Sequence, residues 1–308
     1  MKPSVSPSPL VKGDIIGVIA PAGRLQDENR FMRGISILQD MGFQVKYPRD
    51  LWPGSEYLAD SDENRGKELN RFFQDQEVKG IISMRGGYGC LRILDKIDIA
   101  SVAHNPKILV GFSDITILQN YLYDQTGLIS LHGPVVTSLN MASRETLTHF
   151  YSRLTKTLHG QSLEPKNIEV LRDGQSVSAP LLGGNLASLV SLLGTGYDFS
   201  WENKLIFLED INEPLYKIDR MLTQLKLAGK LDNISGLILG DFSISGGQSE
   251  TEKLRYKESV WNRVLELIPE NPVPIWGNFP SGHCPCNLAF PLGAVAEMSS
   301  SKNSLIFQ

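Results

Sequence analysis

A serine in this chain stands where a nucleophile would. The apolar run Ile108 to Phe112 leads straight into Ser113 and Asp114, and a helix-like segment, Ile115 to Tyr123, follows at once. A strand that delivers a serine to the start of a helix lifts the hydroxyl out of the sheet and sets it at the positive end of the helix dipole. The pattern is incomplete, because Ile115 occupies the place where a hydrolase elbow has its second glycine. On spacing alone, the simpler reading is that Ser113 caps the helix.

A serine nucleophile needs a base, and the base needs an orienting acid. The chain has five histidines. His149 and His159 lie in a polar helix and its exit and read as surface residues. His104 precedes Asn105-Pro106 in a loop. His132, in Leu131-His132-Gly133-Pro134, ends a strand, where it either lines a site or packs. His283 lies in Pro280-Ser281-Gly282-His283, a loop of small residues suited to face a cleft. The acid candidate is Glu209, at the end of the apolar run Leu205 to Leu208, where a carboxylate is costly unless paired. Period-two geometry turns its neighbour Asp210 the other way, and Glu213-Pro214 reads as a helix start.

A further turn, Arg85-Gly86-Gly87-Tyr88-Gly89, follows the strand-like Gly80 to Met84. Its glycines allow close backbone approach and expose N–H groups to a ligand, or simply make a tight turn. The spacing matches neither a dinucleotide fingerprint nor a phosphate loop. His283-Cys284-Pro285-Cys286 invites a zinc reading, but a second pair of ligands is not visible in the sequence.

These residues need a scaffold. The 308 residues suggest about two domains. With 41% hydrophobic and 21% charged residues the chain reads as globular, and a net charge of −4 argues against a nucleic-acid-binding body. No apolar run is long enough for a membrane span. The Ser/Pro-rich start does not read as a signal peptide. Three cysteines fit a reducing cytoplasm better than a disulfide framework.

Apolar runs at Ile15 to Ala20, Phe43 to Tyr47, Gly80 to Met84 and Lys107 to Phe112 read as buried strands. They alternate with helical patterns: one carries Phe31, Ile35, Leu38 and Met41 and ends at Gly42, the next opens on Asp60 with Glu63 and carries Leu69, Phe72 and Phe73. This is the alternation of a parallel α/β sheet, whose ligands sit at the carboxyl ends of the strands. Residues 1–12 read as a flexible tail and 13–164 as the first domain. Residues 165–180, with a hairpin-type turn at Asp173-Gly174, read as a linker, and 181–308 as the second domain. In that part Lys204 to Leu208, Ile234 to Phe242 and Val273 to Gly277 are strand-like. A helix opens at Pro214, carries Leu215, Ile218, Leu222 and Leu225, and closes at Gly229. Lys257 to Ile268 is a helix stopped by Pro269, and Ala294 to Ser299 with Ser304 to Phe307 is a hairpin.

Taken together, GVIAPAG (17–23), MRGGYG (84–89), GFSDIT (111–116), LHGP (131–134), GGNLASL (183–189), LEDINEPLYKIDRML (208–222) and GNFPSGH (277–283) resemble the LD-carboxypeptidases, serine peptidases related to the microcin-C immunity peptidases. The segments span nearly the whole chain in the family order. The resemblance favours Ser113 as a nucleophile over a cap and implies a triad of Ser113, Glu209 and His283. It implies a flavodoxin-like N-terminal α/β domain carrying Ser113 and a smaller C-terminal domain of the swivelling β/β/α type carrying Glu209 and His283, with the site between them and neither half active alone. Backbone N–H groups of Gly87 and Asp114 would hold the oxyanion, and Arg85, Gly86 and His132 would border the substrate, Arg85 as a carboxylate anchor or as a structural ion-pair partner. Cys284 and Cys286 are expected to pack. No metal or organic cofactor is required.

The implied activity is removal of the terminal D-alanine from murein tetrapeptides in cytoplasmic cell-wall recycling, by a homodimer. Two alternatives remain. An immunity-type peptidase cleaves aminoacyl-adenylate-like amides and carries an inserted loop before its catalytic Glu, with an aromatic residue stacked on the base. Trp201 lies in the stretch between Gly183 and Glu209, but that stretch is short. A non-catalytic muropeptide-binding protein would not need the intact Ser, Glu and His. An amidotransferase-like domain would need Cys where Ser113 stands.

Overall fold

The computed structural model describes residues 3–246, 249–268 and 273–308. The first two residues of the expected tail and the helix stop at Pro269 lie outside the described residues. The chain divides into two compact units, Met1–Leu158 with Pro285–Gly293, and His159–Cys284 with Ala294–Gln308. In chain order the strands are β1 (Ile15–Ile19), β2 (Gln44–Lys46), β3 (Val78–Ser83), β4 (Ile108–Gly111), β5 (Ser130–His132), β6 (Ser162–Leu163) and β7 (Glu169–Arg172). Then follow β8 (Val177–Asn185), β9 (Leu205–Ile211), β10 (Gly236–Ser243), β11 (Ile275–Gly277), β12 (Phe290–Leu292), β13 (Val295–Ser299) and β14 (Ser304–Phe307).

The sheet of the first unit runs β2-β1-β3-β4-β5, with β12 on the outer edge of β5. Its first five strands are parallel, and β12 alone is antiparallel. This is the flavodoxin-like order, reached by crossover helices on both faces. Strands such as β1 and β4 lack polar alternation because both faces are covered. The helix Glu28–Asp40 buries Phe31, Gly34, Ile35 and Leu38 and starts at Asp27, whose side chain accepts from Arg30 N–H. The chain leaves it through Gly42, whose φ of 96° suits only glycine. The helix Asp62–Gln74 is capped by Ser61, not by Asp60: Ser61 accepts from Asn64 N–H, while Asp60 accepts from Ser61 N–H at 2.6 Å. Two adjacent capping types were available, and local geometry chose the second.

The second unit holds an eight-stranded sheet ordered β6-β14-β13-β8-β9-β10-β11-β7. β8 to β11 are parallel. β13 runs antiparallel to β8, and β14 to β13, giving the terminal hairpin expected from the sequence. Asp173-Gly174 does not close a hairpin. β7 pairs with β11 and β8 with β9 and β13, so the strands on either side of that turn are far apart in the sheet. Half of the stretch expected as a linker thus forms β7 and the start of β8, satisfying the backbone groups of that half in the ladder. The helix Leu215–Leu227 starts after Pro214 and buries Ile218, Leu222 and Leu225, whereas Leu215 stays on the surface. The last long helix, Glu250–Leu267, begins earlier than its apolar pattern suggests, because Ser249 and Glu252 form a reciprocal capping box.

Candidate active site

Ser113 sits at the carboxyl end of β4 with φ of 63°, a left-handed conformation that costs a non-glycine residue about 1–3 kcal/mol. The capping reading fails on local geometry. The N-cap place of the helix Ile115–Thr126 is taken by Asp114, with no side-chain cap. What binds the first turn is the Ser113 carbonyl, which accepts from Thr116 N–H at 3.0 Å and from the Thr116 hydroxyl at 2.7 Å. The Ser113 side chain is therefore not spent on the helix start.

The glycine turn after β3 lies against this elbow. A Cβ on Gly86 would stand 2.8 Å from Ser113 Cβ and 2.9 Å from its Oγ, so only glycine fits beside the hydroxyl. Gly87 has φ of 121° and passes within 3.1 Å, by the same measure, of the Gly23 Cα. The turn is fastened to the elbow by Asp114, whose buried carboxylate accepts from Cys90 N–H at 2.8 Å. Burial raises the Asp114 pKa; the amides of Cys90 and Gly89 and the charge of Arg65 act against that rise. Burial, and then the Asp114 charge, push the Cys90 thiol well up, so it is an inert core group and not a nucleophile.

Arg65 was not foreseen as part of this region. It is 1% exposed. Its guanidinium donates to the carbonyls of Pro21, of Gly89 at 2.9 Å and of Asp60 at 3.1 Å, and pairs with Asp62. It thus ties the segment after β1 to the end of the glycine turn. The available signal was an arginine on the apolar stripe of Leu69, Phe72 and Phe73, where a cation stands only with partners.

His132, at the end of β5, has no exposed surface. Its ring stacks on Phe290 at 4.9 Å and meets Phe112 edge-on at 6.1 Å. It packs against Phe112, the residue before Ser113. Arg85 is half-buried, and its Nη1 donates to the Arg24 carbonyl at 3.1 Å. Among the described residues it forms no ion pair, so the alternative of a structural acidic partner is not realised.

The second unit brings Glu209 and His283 together. Glu209 ends the apolar part of β9 and is 0% exposed. Its Oε2 lies 2.6 Å from His283 Nδ1. Burial acts to lower the His283 pKa, but the Glu209 charge and hydrogen bond, with Asp210 and Asp241 behind them, outweigh it and raise the pKa above the ordinary 6.5. Nδ1 faces Glu209, so a proton exchanged with a substrate would pass through Nε2.

The loop carrying His283 is held from β10. Asp241 N–H donates to the Ser281 carbonyl at 2.9 Å, and Phe279 N–H to the Leu239 carbonyl at 3.0 Å. Gly282 has φ of 116°, and a Cβ there would meet Glu209 Oε2 at 2.9 Å. Asp210 faces the other way, as its alternation predicts. It accepts from Ala187 N–H at 2.9 Å and from its own neighbour Ile211 N–H at 2.7 Å. Burial, then the Glu209 charge, push its pKa up to about 7. Glu213 pairs with Lys217 at 3.2 Å at the start of the helix Leu215–Leu227.

His104 and His159 lie on the surface. His149 does not: it is half-buried and takes a hydrogen bond from Arg153 Nε at 3.2 Å, and burial followed by the Arg153 charge bring its pKa down to about 4. Cys286 is exposed, which leaves it no packing role, while Cys284 is half-buried. Among the described residues no group of three or more His, Cys, Asp or Glu could hold a metal ion, and no helix is long and apolar enough to cross a membrane.

Residues 16–133 match the LD-carboxypeptidase N-terminal domain and residues 178–298 the LD-carboxypeptidase C-terminal domain. The chain is 36% identical over 308 residues to a probable murein peptide carboxypeptidase of Bacillus subtilis, covering 98% of this chain and 94% of the relative. It is 30% identical over 295 residues to a murein tetrapeptide carboxypeptidase of Pseudomonas aeruginosa, covering 93% and 94%. A structure of MccF in complex with glutamyl sulfamoyl guanosine superposes with a TM-score of 0.85 at 22% identity, covering 98% of both chains, a likeness of fold. The chain is a peptidase of the LD-carboxypeptidase family.

Proposed function

We propose that the protein is a serine LD-carboxypeptidase that removes the terminal D-alanine from murein tetrapeptides. The observation that carries the catalytic part is the 2.6 Å hydrogen bond between buried Glu209 and His283. The names of the murein-peptide relatives support the substrate. In this mechanism His283 Nε2 takes the proton of Ser113 as Oγ attacks the carbonyl of the third residue. Glu209 holds the imidazole in one tautomer and stabilises its cation.

The backbone N–H groups of Gly87 and Asp114 receive the oxyanion, where one donor is worth about 2.7–4 kcal/mol of barrier. The C–N bond then breaks, His283 returns the proton to the departing D-alanine amine, and water releases the acyl group from Ser113 by the same route. The reaction takes place in the cytoplasm, in a homodimer, and uses no cofactor.

Trp201 argues against an immunity-type stacking site. It is 2% exposed and packs against Phe199 at 6.3 Å, so its face is not available to a base.

Ser113→Ala, Glu209→Ala and His283→Ala are each expected to lose nearly all release of D-alanine from tetrapeptide while keeping the fold by circular dichroism. Full release by folded Ser113→Ala protein would refute the serine mechanism.

A further inference from the structure

A carboxypeptidase must recognise the free carboxylate of the residue it releases. In the substrate only the scissile amide and one Cα separate that carboxylate from the attacked carbonyl. The cation that binds it must therefore stand beside the oxyanion donors. The net charge of −4 gives no general attraction for an acidic peptide, so the capture must be local.

Two arginines are candidates, Arg85 at the glycine turn and Arg30 linked to it through Thr137. Arg85 is the first residue of the glycine turn. Its Cζ lies 3.5 Å from the position of a Cβ on Gly23, and its Nη2 3.9 Å from that of a Cβ on Gly87. The next residue, Gly86, is the one packed against Ser113 Oγ. Arg30 approaches from the helix Glu28–Asp40. Its Nε donates to the Thr137 carbonyl at 3.2 Å, and Thr137 N–H donates to the Met84 carbonyl at 3.0 Å, directly before Arg85. Both guanidinium groups are thus anchored by backbone carbonyls on one rim, at the carboxyl ends of β1 and β3.

Neither is neutralised. Among the described residues no carboxylate forms an ion pair with Arg30 or Arg85, whereas Arg65, Arg92 and Arg263 all have one. Asp27, three residues before it, uses its side chain on the backbone N–H of Arg30 at 2.9 Å. Arg30 also stands in the first turn of its helix, where the dipole disfavours a cation. Burial, and then the like charge of Arg30, press the Arg85 pKa down, as expected of two cations held near each other. Two like charges held without a counter-ion repel each other, and the arrangement becomes favourable when an anion binds.

We propose that Arg30 and Arg85 together form the subsite for the free carboxylate of the departing residue, and so make the enzyme an exopeptidase. This rests on the hydrolase reading above. A guanidinium pair suits a carboxylate because each fork offers parallel N–H donors in its plane.

The test uses Ser113→Ala protein, which binds without turnover, and two probes. One is the murein tetrapeptide with lysine in third place; the other is the same peptide with its terminal carboxylate as carboxamide. Calorimetry is expected to show the acid bound at least about tenfold more tightly than the amide, the scale of one charge-assisted hydrogen bond. Adding Arg30→Gln or Arg85→Gln should remove most of that preference by weakening the acid while leaving the amide unchanged. Arg30→Lys should keep part of it. Should Arg85→Gln not fold, Arg30→Gln decides.

Equal binding of acid and amide, binding of neither, or a preference that survives Arg30→Gln would overturn the proposal. D-alanine release by the unaltered protein is measured alongside. A carboxylate preference without release sinks the hydrolase reading alone, and release without a preference sinks the subsite alone.

Discussion

Gly282→Ala is the most searching single change in the second unit. The added Cβ would stand 2.9 Å from Glu209 Oε2, 3.0 Å from its Cβ and 3.1 Å from its Cγ. Ordinary carbon contacts begin near about 3.5 Å, so roughly half an ångström must be found. Glu209 cannot yield it. It is fully buried, and β9 is gripped by β8, where Asn185 pairs with Glu209, and by β10. The loop from Ser281 to His283 must therefore move, and with it the 2.6 Å contact to Glu209.

The φ of 116° adds strain that alanine tolerates poorly. Strain of about 1–3 kcal/mol and overpacking of about 1–3 kcal/mol set the scale, part of it relieved by the loop shift. The expected outcome is a stability loss of about 2 kcal/mol in urea unfolding. Because an error of about 1 Å can cost about a hundredfold, kcat for D-alanine release should fall at least about tenfold. A folded Gly282→Ala protein with unchanged kcat would refute the idea that this glycine sets the Glu209–His283 geometry.

Other consequences follow from the same contacts. The raised His283 pKa means that the base stays protonated to higher pH, so kcat/KM should rise with pH through an apparent pKa above 6.5. Glu209→Gln removes the largest raising influence and leaves burial in place, so the acid limb of residual activity should move down; an unmoved limb would dissociate it from His283. Arg65→Met strips the partners from the carbonyls of Pro21, Gly89 and Asp60 and is expected to cost about 3–5 kcal/mol in urea unfolding. A loss under about 1 kcal/mol would show that the glycine turn does not depend on this arginine.

Much of the first unit could be read in the chain because its signals are local. Apolar runs at β1 and β4 and the helix stop at Gly42 each follow from a few neighbouring residues. The pairing of Glu209 with His283 was reachable only through the resemblance, since nothing in either segment specifies a partner far along the chain. The misreadings have physical causes. Asp173-Gly174 has hairpin composition, yet tertiary pairing sends its two flanking strands to different neighbours. Ser113 has capping composition, but its left-handed backbone turns the carbonyl, and not the hydroxyl, toward the helix. Arg30 looks like an ordinary surface cation until its surroundings are known, whereas Arg65 is marked only by its place on the apolar stripe of its helix.

The most direct test of the central reading is mass spectrometry of purified protein incubated with tri-, tetra- and pentapeptide muropeptides. Loss of one D-alanine from the tetrapeptide alone is the expected result. No loss from any of the three, with hydrolysis of an aminoacyl-adenylate-like amide instead, would contradict it.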